Sequence, residues 1–151
     1  MNKRIPVLIA LSVLAIGAVA VSNSGAEDPK TQKFVVILQA GSESHEGLAR
    51  ALHALLYAAE LKEAGYDVVL LFDGAGTAWA REFEQPEHKL HGAYANLKKL
   101  GVTQEICDYC SSAFQVKDRL SEEQRGFLNH SYNGHPSLVK WIARGYSIIV
   151  L

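Results

Sequence analysis

Two uninterrupted apolar runs, Phe34-Val35-Val36-Ile37-Leu38 and Val68-Val69-Leu70-Leu71-Phe72, constrain the fold of this chain more than any other feature. Each is too short for a helix and rich in β-branched residues. Neither alternates polar with apolar positions, which is the pattern of a strand buried on both faces. Such strands belong to parallel sheets, whose connections carry helices, and the intervening sequence has the helical period. Over residues 45–64, Leu48, Leu52, Leu55, Leu56 and Ala59 recur at helical spacing, between Ser44 as N-cap and Gly65 as a stop. Asp73-Gly74-Ala75-Gly76 closes the second run ahead of a short helix over residues 77–83. A further helix is predicted over residues 87–100, with Leu90, Ala93, Tyr94 and Leu97 inward and Gly101 ending it.

Residues 102–107 read as a weaker third strand, and Ser147-Ile148-Ile149-Val150-Leu151 as a last buried one. Between them, Ser121 with Gln124 three residues on predicts a capped helix over residues 121–128. Pro136 opens another that runs to Arg144 and stops at Gly145. Trp79 and Trp141 read as packing anchors. The expected fold is a single α/β domain: one open, mostly parallel sheet with helices on both faces, flavodoxin-like in layout. In such sheets ligands sit beyond the carboxyl ends of the strands, where residues 41–45, 73–77 and 107–112 form three loops.

The front of the chain differs in kind. Lys3 and Arg4 precede an apolar run over residues 5–21 broken only by Pro6, Ser12 and Gly17, and Glu27 is the first acidic residue. This is an export pattern, with small-residue cleavage sites at Ala18-Val19-Ala20 and Ser24-Gly25-Ala26. The run also approaches the ~18 residues of a membrane span. Residues 1–26 are therefore expected to be a signal peptide or an N-terminal membrane anchor, residues 27–33 a polar tether, and residues 34–151 the domain. A periplasmic or exported location follows as an expectation, with membrane contact confined to the first segment. The remaining length suits one hydrophobic core. A formal net charge of −1 argues against nucleic acid as a partner, which would favour a clustered positive face.

Cys107 and Cys110 are the chain's two cysteines, placed three residues apart in Glu105-Ile106-Cys107-Asp108-Tyr109-Cys110-Ser111-Ser112, after a strand and before a helix. That spacing lets two sulfurs act together. N–H groups at a helix start would favour a thiolate, and Asp108 would oppose it. In an oxidising compartment the pair would rest as a disulfide. The same pair with His130 and His135 supplies zinc ligand types. Those histidines lie beyond a predicted helix, however, and Gly134-His135-Pro136 reads more simply as a loop capping the last one. No metal and no cofactor is expected. His88 and His91 share a helix face and read as solvated surface. The glycine loops match neither a P-loop nor GxGxxG and read as tight turns. Gly41, Ser42, Ser44, His45, Gly74 and Gly76 are expected to border the cysteine site.

The order of elements resembles the DsrE/DsrF-like proteins, which include TusD-type sulfur-relay subunits. So do the Gly41-Ser42-Glu43-Ser44-His45-Glu46-Gly47-Leu48 turn into an alanine-rich helix, and Ile106-Cys107 with Cys110 followed by Val116. The likeness runs over residues 33–151. It implies a persulfide carried on Cys107, a second thiol at Cys110, donor and acceptor proteins for sulfur, and a homo-oligomer, trimer or hexamer. Two features depart from the family. A glycine often found just before the position of Val116 is Gln115 here, and the known relays are cytoplasmic while this chain begins with an export pattern. The expected function is an extracytoplasmic sulfur carrier, a possible sulfurtransferase, with Cys107 accepting sulfane sulfur and Cys110 resolving it. The alternative is an oligomeric binding or assembly module with a structural Cys107–Cys110 disulfide. A thiol–disulfide oxidoreductase fits less well, because the pair follows a late strand rather than opening the first long helix.

Overall fold

In the computed structural model, which describes residues 31–151, the two apolar runs form β1 (Lys33–Leu38) and β2 (Asp67–Phe72). The export-like segment and most of the tether lie outside the described residues. β1 and β2 pair in parallel, Phe34 opposite Val68 through Leu38 opposite Phe72. With β3 (Thr103–Cys107), β4 (Leu128–Asn129) and β5 (Tyr146–Val150) they make a five-stranded sheet in the order β4-β3-β2-β1-β5, parallel throughout.

Side chains of a strand alternate between the two faces, and here both faces are covered, so polar positions have nowhere to go. Val36, Leu38, Val68, Leu70, Phe72 and Ile106 enter the larger core, beneath α1 (His45–Glu63), α2 (Thr77–Glu82) and α3 (His91–Leu100). Val35, Ile37, Val69 and Leu71 enter a smaller one with Tyr146 and with Trp141 of α6 (Leu138–Ala143). Each such side chain contributes about 1.5–3 kcal/mol by leaving water. Trp79 and Trp141 are both packing anchors, at 1 % and 3 % exposure.

Ser44 caps α1, its hydroxyl accepting the Gly47 N–H at 2.9 Å. The buried face of that helix is Gly47, Ala51, Ala54, Leu55 and Ala58, while Leu56 is 49 % exposed. The expected leucine stripe is thus rotated, because small residues let the helix lie close to the sheet and leave the larger side chains to its flanks. α3 starts later than its apolar spacing suggests: the preceding segment turns, with His88 Nδ1 accepting the Leu90 N–H at 3.2 Å. His88 and His91 are half-buried rather than solvated. His88 packs edge-on to Trp79 at 5.8 Å, and His91 Nδ1 lies 2.8 Å from the Phe83 carbonyl.

The C-terminal third departs furthest from expectation. The capping box at Ser121 and Gln124 is present, but the helix it opens, α5 (Glu122–Arg125), lasts one turn. The chain then becomes β4, pairing Leu128 with Ile106 and Asn129 with Cys107. α6 begins after Ser137 rather than at Pro136, and the Ser137 hydroxyl caps it by accepting the Lys140 N–H at 3.3 Å. β5 is an edge strand, with Val150 54 % exposed, so it is not buried on both faces as its apolar run implied.

Candidate functional site

β3 runs straight into α4 (Asp108–Ala113), so Cys107 is both the last strand residue and the helix N-cap. Its sulfur accepts the Cys110 backbone N–H at 3.3 Å. Both cysteines are free thiols; Cys107 is fully buried and Cys110 is 9 % exposed. Asp73, the first residue past β2, reaches the pair from the adjacent strand end. Its Oδ1 accepts the Cys110 S–H at 3.3 Å, while its Oδ2 accepts the side-chain N–H of Gln39, just past β1, at 2.8 Å.

The fourth participant is His135. Its Nδ1 lies 3.3 Å from Cys107 Sγ and 3.8 Å from Cys110 Sγ. A tight turn places it there: Tyr132 and His135 exchange backbone hydrogen bonds of 2.7 and 2.8 Å around Asn133 (φ 48°) and Gly134 (φ 84°). Two successive positive φ angles are what an Asn-Gly pair supplies. The Tyr109 N–H donates to the Gly134 carbonyl at 2.9 Å, and the Tyr109 ring lies 4.7 Å from the imidazole, so the turn is fastened to α4. The side-chain ligand atoms of Asp73, Cys107, Cys110 and His135 all lie within 4.8 Å of one another.

Electrostatics here run against the sequence expectation. Burial pushes the Cys107 thiol well above its ordinary value, and its contacts with Cys110 and the charge of Asp73 add to that; the Cys110 N–H opposes them without prevailing. Cys110 is raised as well, again chiefly by burial. A helix of six residues aligns too few peptide dipoles to offset desolvation. Asp73 is the reverse case. Burial raises its carboxyl, but hydrogen bonds from Gln39, Cys110, Cys107 and the Gly74 backbone together bring it below the ordinary range. These directions favour two neutral thiols beside a carboxylate.

The loop residues divide. Gly74 follows Asp73, and its backbone N–H donates to the Asp73 carboxylate. Gly76 acts in backbone packing, where a Cβ would lie 2.0 Å from the Leu38 carbonyl oxygen, whereas a Cβ at Gly41 would first meet the movable carboxylate of the Glu43 side chain. Ser42 turns away, donating to Glu82 at 2.6 Å, Ser44 is the cap described above, and His45 is exposed at the start of α1. None of these three touches the sulfurs in the contacts described. His130 is exposed and outside the cluster. Sequence reasoning missed Asp73 as a participant and set His135 aside. The signal for the latter was Asn133-Gly134, which marks a tight turn aimed back at the sheet.

At the end of α4, Gln115 has φ 57°. Its N–H donates to the Ser112 carbonyl and that of Val116 to Ser111, the Schellman pattern whose left-handed position is normally glycine. A side chain there costs about 1–2 kcal/mol. The residue that departs from the family pattern thus keeps the backbone geometry a glycine would give.

The chain is 34 % identical over 100 residues to the uncharacterized protein MJ0733 of Methanocaldococcus jannaschii, a match covering 66 % of this chain and 78 % of that one. The crystal structure of the ychN protein from E. coli superposes with a TM-score of 0.56 at 16 % identity, covering 80 % of this chain and 99 % of that one, and shows the same fold. The DsrE/DsrF-like family pattern matches residues 32–151, nearly the whole of the described domain. This chain belongs to the DsrE/DsrF-like family.

Proposed function

We propose that this protein carries sulfane sulfur, with Cys107 as the accepting residue and Cys110 as the resolving one. The observation that supports this most is the meeting of both thiols with the His135 imidazole at the carboxyl edge of the sheet, 3.3 Å from Cys107. Burial keeps Cys107 protonated, so a nucleophile forms only as its proton leaves, and His135 Nδ1 in its unprotonated tautomer is placed to accept it. The Cys107 thiolate then attacks the outer sulfur of a donor persulfide. The donor's S–S bond breaks, its thiolate departs, and a Cys107 persulfide forms without net oxidation. Attack by Cys110 on the inner sulfur, its proton leaving with the outer sulfur as hydrogen sulfide, gives a Cys107–Cys110 disulfide, which a thiol reductant returns to the dithiol.

Intact mass of the reduced chain after brief exposure to polysulfide tests this. One added sulfur, about 32 Da, is expected transiently on wild type, accumulates on Cys110→Ser, where nothing resolves it, and is absent from Cys107→Ser. Loading of Cys107→Ser equal to wild type overturns the assignment. A stable disulfide with no adduct in any variant favours the structural module instead.

The same proposal includes a homo-oligomer. Leu138, Val139 and Ile142 of α6 are 48 %, 76 % and 62 % exposed, three apolar side chains on one short helix, as at an interface between copies. Val139→Glu with Ile142→Glu is expected to reduce the particle mass in light-scattering chromatography to that of a single chain. A monomeric wild type refutes it.

A further inference from the structure

We infer that Asp73, Cys107, Cys110 and His135 form a tetrahedral binding site for a thiophilic divalent cation, zinc in the first instance. The inference stands on the cluster itself and does not require sulfur carriage.

Spacing is the first argument. Zinc bonds of about 2.3 Å to sulfur and 2.0–2.2 Å to nitrogen and oxygen set ligand atoms about 3.3–3.8 Å apart along the edges of a tetrahedron. Cys107 Sγ to His135 Nδ1 is 3.3 Å, Cys110 Sγ to His135 Nδ1 is 3.8 Å, and Cys110 Sγ to Asp73 Oδ1 is 3.3 Å. All four atoms lie within 4.8 Å of one another, so small side-chain adjustments centre a cation among them. The donor set, two sulfurs with one imidazole and one carboxylate, contains only types zinc accepts.

Support behind the ligands is the second argument. Ligating groups are held by their own hydrogen bonds, which fix their aim. Asp73 presents Oδ1 to the cluster while Gln39 holds Oδ2 at 2.8 Å. The Cys110 N–H points at Cys107 Sγ from 3.3 Å, a donor well placed for a thiolate bound to metal. His135 is aimed by the Asn133-Gly134 turn, itself tied to Tyr109. The four residues come from three separate places, the end of β2, the β3–α4 junction and the turn after β4, so the site exists only in the folded chain. On binding, each sulfur coordinates as thiolate and its proton passes to solvent.

Cobalt(II) replaces zinc in such sites and reports its ligands by colour. The full chain, kept reduced with a phosphine and freed of metal by chelation, is titrated with cobalt(II). Expected are one cobalt per chain, a thiolate-to-cobalt charge-transfer band in the near ultraviolet, intense tetrahedral bands in the visible, and loss of all three on adding zinc. His135→Ala and Asp73→Asn should each weaken binding at least about tenfold. His135→Cys, which restores a ligand, should recover tetrahedral binding with a stronger charge-transfer band, so a folding defect in the alanine variant leaves the conclusion intact. Absence of the charge-transfer band in wild type overturns the site. So does equal affinity in wild type, His135→Ala and Asp73→Asn, which would mean two cysteines binding alone. Sulfur loading is measured on the same preparations: a chain that loads sulfur but shows no cobalt band retires the metal and keeps the carrier, and the opposite result does the reverse.

Discussion

Trp79→Ala is expected to lower the free energy of unfolding by about 3–5 kcal/mol, the range for removing a large buried aromatic. Trp79 is 1 % exposed, stacks on Phe83 at 5.3 Å, meets His88 edge-on, and donates its indole N–H to the Ala40 carbonyl at 2.8 Å. The substitution leaves a cavity under α2 and strips a hydrogen bond from the loop that follows β1. Trp79→Phe keeps most of the packing and loses that hydrogen bond, for an expected cost of about 1–2 kcal/mol. Urea unfolding followed by circular dichroism measures both, through a lower midpoint at unchanged slope. A shift under 1 kcal/mol for the alanine variant would mean that the core collapses around the site more readily than its ring stacking implies.

Gly76→Ala is expected to cost about 3 kcal/mol or more, the upper end of the overpacking range. The backbone there is ordinary, φ −62° and ψ −13°, so conformational strain is not the cause. Space is: the new Cβ would sit 2.0 Å from the Leu38 carbonyl oxygen and 2.7 Å from its carbon, and only backbone movement relieves that. That backbone belongs to β1, so the strand ends carrying Gln39 and Asp73 separate along with it. Gly92→Ala is the control. Nothing lies within 4 Å of its Cβ and it sits inside α3, so alanine there should stabilise by up to about 1 kcal/mol. Thermal midpoints moving in opposite directions for the two variants are the expected result, and a neutral Gly76→Ala would remove the close approach as the reason for this glycine.

The central strands β1 and β2 were legible because complete burial writes itself as unbroken apolar sequence, beginning at Phe34 and Val68, while β3, interrupted by Thr103, Gln104 and Glu105, left only a weaker signal. β4 was not, since a strand of two residues has no period to detect and the true capping box at Ser121 pointed to a helix that stops after one turn. The orientation of α1 was hidden by its alanines, which carry little hydrophobic weight in a spacing pattern but pack closest to the sheet. Of the site, the cysteine pair was visible because its members are neighbours in sequence. Asp73 and His135 join it only through parallel pairing of β2 with β3 and of β3 with β4, contacts that local spacing does not encode. The protonation of Cys107 is not a local matter either: its desolvation comes from tertiary packing, while the helix start that argues for a thiolate is local.

The separation of His135 from the thiols along the chain has a consequence during synthesis. A polypeptide leaves the ribosome amino end first. Cys107 and Cys110 therefore emerge 28 and 25 residues ahead of the histidine that sits against them in the finished domain. Until that length follows, the two sulfurs are an open pair without the turn that later covers them, available to any oxidant or stray cation they meet. The nascent chain thus passes through an interval of unguarded thiol chemistry, which ends when residues 132–135 fold back onto α4.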